Sequence, residues 1–116
     1  MRDIHERAFE FACRVVKLCN ALTRRRSSVK PLLSQLLRSG TGVGANLEEA
    51  EAGQSKADFI AKCRISLKEA RESLYWLRLL AATETAAPTR LAPLIQEARE
   101  IVAILTTIVR KASAPR

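Results

Sequence analysis

Glu48, Glu49 and Glu51 fall within one helical turn of sequence, and carboxylates so spaced could bind a divalent cation or exchange a proton. On a helix, Glu48 and Glu51 share a face. No second acidic pair completes a metal box, however. The single histidine, His5, removes His-rich zinc sites, the Glu-x-x-His pattern of di-iron bundles and most imidazole acid–base chemistry. A patch that pairs with Arg or Lys of another helix or subunit is the simpler reading. The chain is therefore expected not to be an enzyme, with no catalytic residue, metal or cofactor assigned. His5, near a helix start, reads as a surface residue. Cys13, Cys19 and Cys63 have neither CxxC nor zinc-ribbon spacing. An odd cysteine count without an apparent secretory segment predicts reduced thiols in the cytosol, packed as small hydrophobes.

The other chemistry is cationic. Lys and Arg number 20 against 12 Asp and Glu, for a formal charge of +8. Arg supplies 14 of the 20, and its planar fork suits bidentate phosphate contact better than an ammonium does. The run Arg24-Arg25-Arg26 is the densest point. A solvated basic loop is the usual meaning of such a run, so its weight depends on what lies around it.

A chain of 116 residues supports one domain, residues 1–116. With 47% hydrophobic and 28% charged residues and only four Gly and four Pro, it has the material for a packed core and not the composition of a disordered segment. The N-terminal MRDIHERAFEFA mixes charges with apolar residues, unlike a signal peptide, and the apolar stretch 101–109 falls far short of the ~20 residues of a membrane span. The expected location is cytoplasmic.

Four segments carry helical periodicity. Ile4, Ala8, Phe11, Ala12, Val15, Leu18, Cys19 and Leu22 recur in threes and fours, predicting a helix from about Asp3 to Thr23. Ser27 or Ser28 would cap the second, whose seam is Val29, Leu33, Leu36, Gly40, Val43, Leu47 and Ala50. The glycines at 40, 42 and 44 each disfavour a helix interior by ~1 kcal/mol relative to Ala, so a break near Gly40 is the alternative. One helix to about Ala52 is preferred because Gly40 lies on the seam, with Gly44 beside it, where close backbone approach could offset that cost. Gly42 is off the seam and unexplained. Gly53 would take the left-handed C-terminal position.

Ser55 caps a third helix with Asp58 as its acidic partner, on a seam of Ile60, Cys63, Leu67, Ala70, Leu74, Leu77 and Ala81. Phe59, Tyr75, Trp76, Leu79 and Leu80 add a second apolar stripe, readable as a wide core face or as a subunit interface. Residues 83–88 turn the chain. A fourth helix begins between Thr89 and Pro93, with Pro93 in the first turn, on Leu91, Leu94, Ala98, Ile101, Leu105, Ile108 and Ala112. Four heptad-patterned segments joined by short loops predict an all-α, antiparallel up-down-up-down four-helix bundle.

That topology maps the charge. The loops after the first and third helices share one pole, where Arg24, Arg25, Arg26, Lys30, Arg78 and Arg90 face only Glu84, so +5 of the +8 sits on less than half of the chain. Along the third helix Asp58 can pair with Lys62, and Glu72 with Lys68. Arg64 and Arg71, one heptad apart, lack a carboxylate four residues away on their face and are secondary candidates. An anionic partner, most simply nucleic acid, is the expectation. Tyr75 and Trp76 are the only candidates for base stacking, so phosphate contact would dominate.

The segment QLLRSGTGVGANLEEAEAGQSKADFIAKCRISLKEARESLYWLRLL, residues 35–80, resembles the small bacterial four-helix-bundle proteins encoded in intervening sequences of large-subunit ribosomal RNA genes. The matching positions are Leu36, Arg38, Ser39, Gly44, Ala45, Asn46, Glu48 and Glu49, then Ser55, Lys56, Asp58, Phe59, Glu69, Ala70, Glu72, Trp76 and Leu77. Gly42-Val43 departs from the family's usual pair after the Thr. The family is in turn similar to the accessory variability proteins of diversity-generating retroelements, which form pentameric rings and act with a reverse transcriptase and nucleic acid. The resemblance implies a ring oligomer, a homopentamer, without enzymatic activity. Five copies would raise +8 to +40, which favours salt-dependent binding of RNA or DNA.

The expected function is thus a non-enzymatic oligomeric nucleic-acid-binding protein holding phosphates through Arg24, Arg25, Arg26, Lys30, Arg78 and Arg90, with Arg64 and Arg71 secondary. Phe59, Tyr75, Trp76, Leu79, Leu80 and the Glu48, Glu49 and Glu51 patch would join subunits. The alternative is an oligomeric protein scaffold, its basic charge serving only solubility. An enzyme using the glutamates with a metal is the most distant reading.

Overall fold

The computed structural model describes residues 3–25 and 27–115, apart from the side chains of residues 25 and 27. It is all-α: α1 (Ile4–Arg25), a 3₁₀ turn (Ser27–Val29), α2 (Lys30–Glu51), α3 (Lys56–Ala82) and α4 (Pro88–Ser113), with no strand among the described residues. Each helix packs on the next in sequence, and α1 meets α4 to close the set, least extensively of the four contacts. The result is a rod 51 × 22 × 21 Å.

Most of the predicted seam positions form or pack against the core, Ala12, Ile60 and Ala112 being the exceptions. Ala8, Phe11, Val15, Leu18, Cys19 and Leu22 of α1 are buried, as are Leu33, Leu36, Val43, Leu47 and Ala50 of α2 and Leu91, Leu94, Ala98, Ile101 and Leu105 of α4. In α3, Cys63, Leu67, Ala70 and Leu77 are buried as expected, and Leu80 joins them at 0% exposure. Leu80 is therefore a core residue of its own protomer and not a subunit contact: α3 packs against both α2 and α4 and must bury a wider stripe than a helix with one neighbour. Cys19 and Cys63 are buried thiols, pushed up by loss of hydration, Cys19 to about 11. Cys13 is exposed, so the small-hydrophobe reading fails there.

Helix α2 runs unbroken through all three glycines. A Cβ on Gly40 would lie 2.8 Å from Val15 Cγ1, whereas one on Gly44 would make only ordinary 3.6 Å contact with Ala8. Gly42 also finds its reason, since a Cβ there would stand 3.2 Å from Glu69 Cγ. The N-cap position of α2 does not fall at Ser27 or Ser28. Its N-cap is Val29, without a side-chain bond, and Pro31 occupies the first turn, where the missing N–H and fixed φ remove part of the need for a cap. Ser55 caps α3 as expected, its Oγ accepting from the Asp58 N–H at 3.1 Å. Helix α4 opens at Pro88, which leaves Pro93 inside the helix rather than in its first turn.

The left-handed residue is not Gly53, since no glycine has positive φ, but Glu84 at φ 54°. Behind it α3 ends in a Schellman arrangement: Thr85 N–H donates to Leu80 O at 3.0 Å and Glu84 N–H to Ala81 O at 3.1 Å. A side chain in this conformation costs about 1–2 kcal/mol, part of which glycine returns in unfolded-state entropy. Glu84→Gly is expected to stabilise the fold by about 0.5–1 kcal/mol, read as a higher urea midpoint; a lower midpoint would show that the Glu84 side chain holds the turn.

Contacts between successive helices run in opposite numerical order. Val15 meets Gly40 and Ala8 meets Gly44; Ser66 Oγ donates to Val43 O at 2.7 Å, and the Ser73 and Ser39 hydroxyls lie 2.9 Å apart. Ser39, Ser66 and Ser73 are all at 0% exposure, which lets α2 and α3 approach closely.

Candidate nucleic-acid interface

The helical repeat places Arg7, Arg14, Lys17 and Arg24 along one face of α1, in steps of seven, three and seven residues. Their fates differ. Arg7 reaches α4, with Nη2 donating to Glu97 Oε1 at 2.7 Å, Nε to Glu97 Oε2 at 3.0 Å and Nη2 to Glu100 Oε1 at 2.8 Å. Bonds to Glu97 first and Glu100 second hold the Arg7 guanidinium protonated even more firmly than usual. The same bond from Arg7, aided by Gln96, holds the Glu100 carboxyl below the ordinary range. Arg7 is a clamp between α1 and α4 and is not free to bind a ligand.

One to three turns further on, the α1–α4 seam opens into a cleft of about 190 Å³ lined by Arg14, Lys17 and Arg90 over Leu18, Leu91 and Leu94. Among the described residues none of these three cations is in an ion pair. Arg24 and Lys30 are exposed at the same end of α1, Lys30 lining a neighbouring cleft with Asn20 and Thr23. Arg26 and the side chain of Arg25 lie outside the described residues.

The other predicted cations are placed elsewhere. Arg64, Arg71 and Arg78 are exposed on α3; Arg64 donates to Ser113 Oγ at 3.2 Å, and Arg78 flanks an α3–α4 groove with Arg99. Arg78 and Arg90, grouped by pole in the sequence, thus line different grooves. Arg14 and Lys17 are not among the expected phosphate contacts, although their three-residue step on the face of Arg24 is a readable signal; both lie before the arginine run at 24–26.

Two expected surface pairs do not form. Glu72 is taken by Arg38, whose Nη2 lies 2.5 Å from Glu72 Oε1 while Nη1 lies 3.2 Å from Glu69 Oε2, instead of by Lys68. Asp58 gives its backbone N–H to the Ser55 cap, and its carboxylate makes no ion pair with Lys62. Arg38 thereby ties α2 to α3 as Arg7 ties α1 to α4.

Of the predicted interface, Phe59 and Trp76 are partly buried against the protomer's own core, and Leu79 is half-buried in the α3–α4 groove. Tyr75 is 56% exposed, its ring edge-on to Trp76 at 5.1 Å, which makes it the more open of the two rings expected to stack on bases. Glu48, Glu49 and Glu51 are exposed; Glu51 Oε2 lies 3.7 Å from Nδ1 of His5, which is half-buried rather than a surface residue. Among the described residues no three His, Cys, Asp or Glu side chains are placed to hold a metal ion, and no helix is long and apolar enough to cross a membrane.

The family model of the 23S rRNA-intervening sequence proteins matches residues 2–107. A crystal structure of a protein of unknown function from the S23 ribosomal protein family of Bacteroides thetaiotaomicron superposes with a TM-score of 0.88 at 40% identity, over 93% of this chain and 99% of that one. No curated protein matches the sequence.

Proposed function

The chain belongs to the 23S rRNA-intervening sequence protein family, and from that premise we propose that it is a non-enzymatic, oligomeric nucleic-acid-binding protein whose phosphate-binding surface is the α1–α4 cleft. The observation that carries this reading is the set of three cations, Arg14, Lys17 and Arg90, lining one cleft without carboxylate partners among the described residues, whereas Arg7, on the same face of α1, is neutralised by two. Arg24 and Lys30 extend the surface around the end of α1, and Arg64 and Arg71 are secondary contacts. The ribosomal RNA in the family's description makes RNA the first ligand to try. The opposite numerical order of the interhelical contacts supports an antiparallel up-down-up-down bundle, the resemblance to ring-forming proteins supports a homopentamer, and the charged N-terminal segment supports a cytoplasmic location. Glu48, Glu49 and Glu51 are all exposed, unlike carboxylates in the water-excluding cleft in which carboxylate catalysis works.

The test is oligonucleotide affinity against salt. Each phosphate contact contributes about 0.7–0.9 to the slope of log affinity against log salt, so Arg14→Gln/Lys17→Gln/Arg90→Gln is expected to flatten that slope by about 2–3. Arg38→Gln, which removes a cation already engaged by Glu69 and Glu72, should leave it unchanged. An unchanged slope in the triple variant would move the site elsewhere, and wild-type protein that ignores RNA and DNA at moderate salt would leave the protein-scaffold reading.

A further inference from the structure

Phe9 is 70% exposed, more than any other large hydrophobic side chain among the described residues. It stands on α1 beside a hollow of about 320 Å³ shared with His5, Glu6 and Glu48, so a ring in water is rimmed by carboxylates. The reverse arrangement occurs on the other helix pair. Between α3 and α4 a groove of about 350 Å³ is floored by apolar atoms of Leu79, Ala82 and Ile95, walled by the exposed ring of Tyr75 and flanked by Arg78 and Arg99. Neither guanidinium has a carboxylate partner among the described residues. One feature is a knob with a negative rim and the other a socket with a positive one.

The two cannot meet within one protomer. The knob lies on the α1–α2 side near residue 48, whereas the socket lies on the α3–α4 side at residues 75–99. We propose that the occupant of the α3–α4 groove is a second copy of this chain: Phe9 of one copy inserts beside Tyr75 and Ile95 of the next, with Glu6 and Glu48 facing Arg78 and Arg99. An inserted aromatic ring buries about 150–250 Å² in the manner of an interface anchor, and the opposed rims set its orientation. Because knob and socket lie on opposite sides of the protomer, one two-fold contact cannot engage both, so the contact is heterologous, each copy giving its knob to one neighbour and its socket to another. The inference deepens the oligomeric part of the proposed function and rests on it, and it assigns Arg78 to assembly rather than to phosphate.

Mixing two variants tests it by light-scattering mass. Phe9→Asp destroys the knob and keeps the socket; Arg78→Glu/Arg99→Glu reverses the socket and keeps the knob. All three residues are exposed, and helical circular dichroism equal to wild type confirms the fold. The wild type is expected to be an oligomer and each variant a monomer. An equimolar mixture should give a dimer and nothing larger, because only one working knob and one working socket remain. Adding Glu6→Arg/Glu48→Arg to the reversed socket should restore the wild-type mass. A variant that keeps the wild-type mass, or a mixture that stays monomeric, overturns the knob and socket while leaving an oligomer in place. A monomeric wild type overturns the oligomer itself, and oligonucleotide binding by that monomer would show that the phosphate cleft survives alone.

Discussion

Leu80→Ala is expected to destabilise the protein by about 2–5 kcal/mol, the range for removing a fully buried leucine and leaving a partly collapsed cavity. Domains of this size have total stabilities of about 5–15 kcal/mol, so the variant should lose a large share of its folded margin. Leu80 has no exposed surface, its carbonyl accepts the Thr85 N–H that closes the C-terminal turn of α3, and α3 sits between α2 and α4. Its neighbour Leu79 lines the open groove instead, and Leu79→Ala should cost well under half as much. Urea unfolding with both variants decides the matter. If Leu80→Ala unfolded like wild type but changed the particle mass, the residue would lie between subunits after all.

Gly40→Ala is expected to destabilise by up to about 2 kcal/mol even though alanine is the better helix former by ~1 kcal/mol. The added Cβ would fall 2.8 and 2.9 Å from the two γ-carbons of Val15. A β-branched side chain has few rotamers with which to retreat, and overpacking of this kind costs about 1–3 kcal/mol. Gly44→Ala, one turn along the same helix with its nearest neighbour at 3.6 Å, should stabilise by up to ~1 kcal/mol. Opposite signs at two glycines four residues apart would separate packing from propensity. In a double-mutant cycle, Val15→Ala should relieve most of the Gly40→Ala penalty; strict additivity would show that the two residues do not touch.

The same glycines show what the sequence carried. The heptad seams were legible because burial and periodicity are one fact seen twice: a helix must bury the positions that recur every three and four residues. The continuity of α2 was legible because Gly40 lies on its seam. The wide face of α3 was visible as a surplus stripe, but sequence could not say that Leu80 spends it inside the protomer while Tyr75 keeps it outside. Ser39, Ser66 and Ser73 were invisible as core because a hydroxyl reads as surface until its partner on another helix is known. The left-handed residue was placed at Gly53 by composition and lies at Glu84 by hydrogen bonding. For the candidate site, Arg24, Lys30 and Arg90 were legible as charge density, whereas the neutralisation of Arg7 depends on carboxylates 90 and more residues away, a separation no local spacing rule spans.

The buried serines of the α2–α3 contact act as a detent. If one helix slid past the other by a single turn, ~5.4 Å, Ser73 would face Leu36 or Val43 in place of Ser39, and Ser66 would lose the Val43 carbonyl it now reaches at 2.7 Å. Left dry and unmatched, the Ser66 hydroxyl would cost about 1–3 kcal/mol, whereas Ser73 and Ser39 would keep the Glu69 and Leu36 carbonyls of their own helices. Purely aliphatic heptads repeat and so tolerate several alignments, but this hairpin has one notch. Load applied at either end of the rod is therefore passed along α2 and α3 as along a single strut.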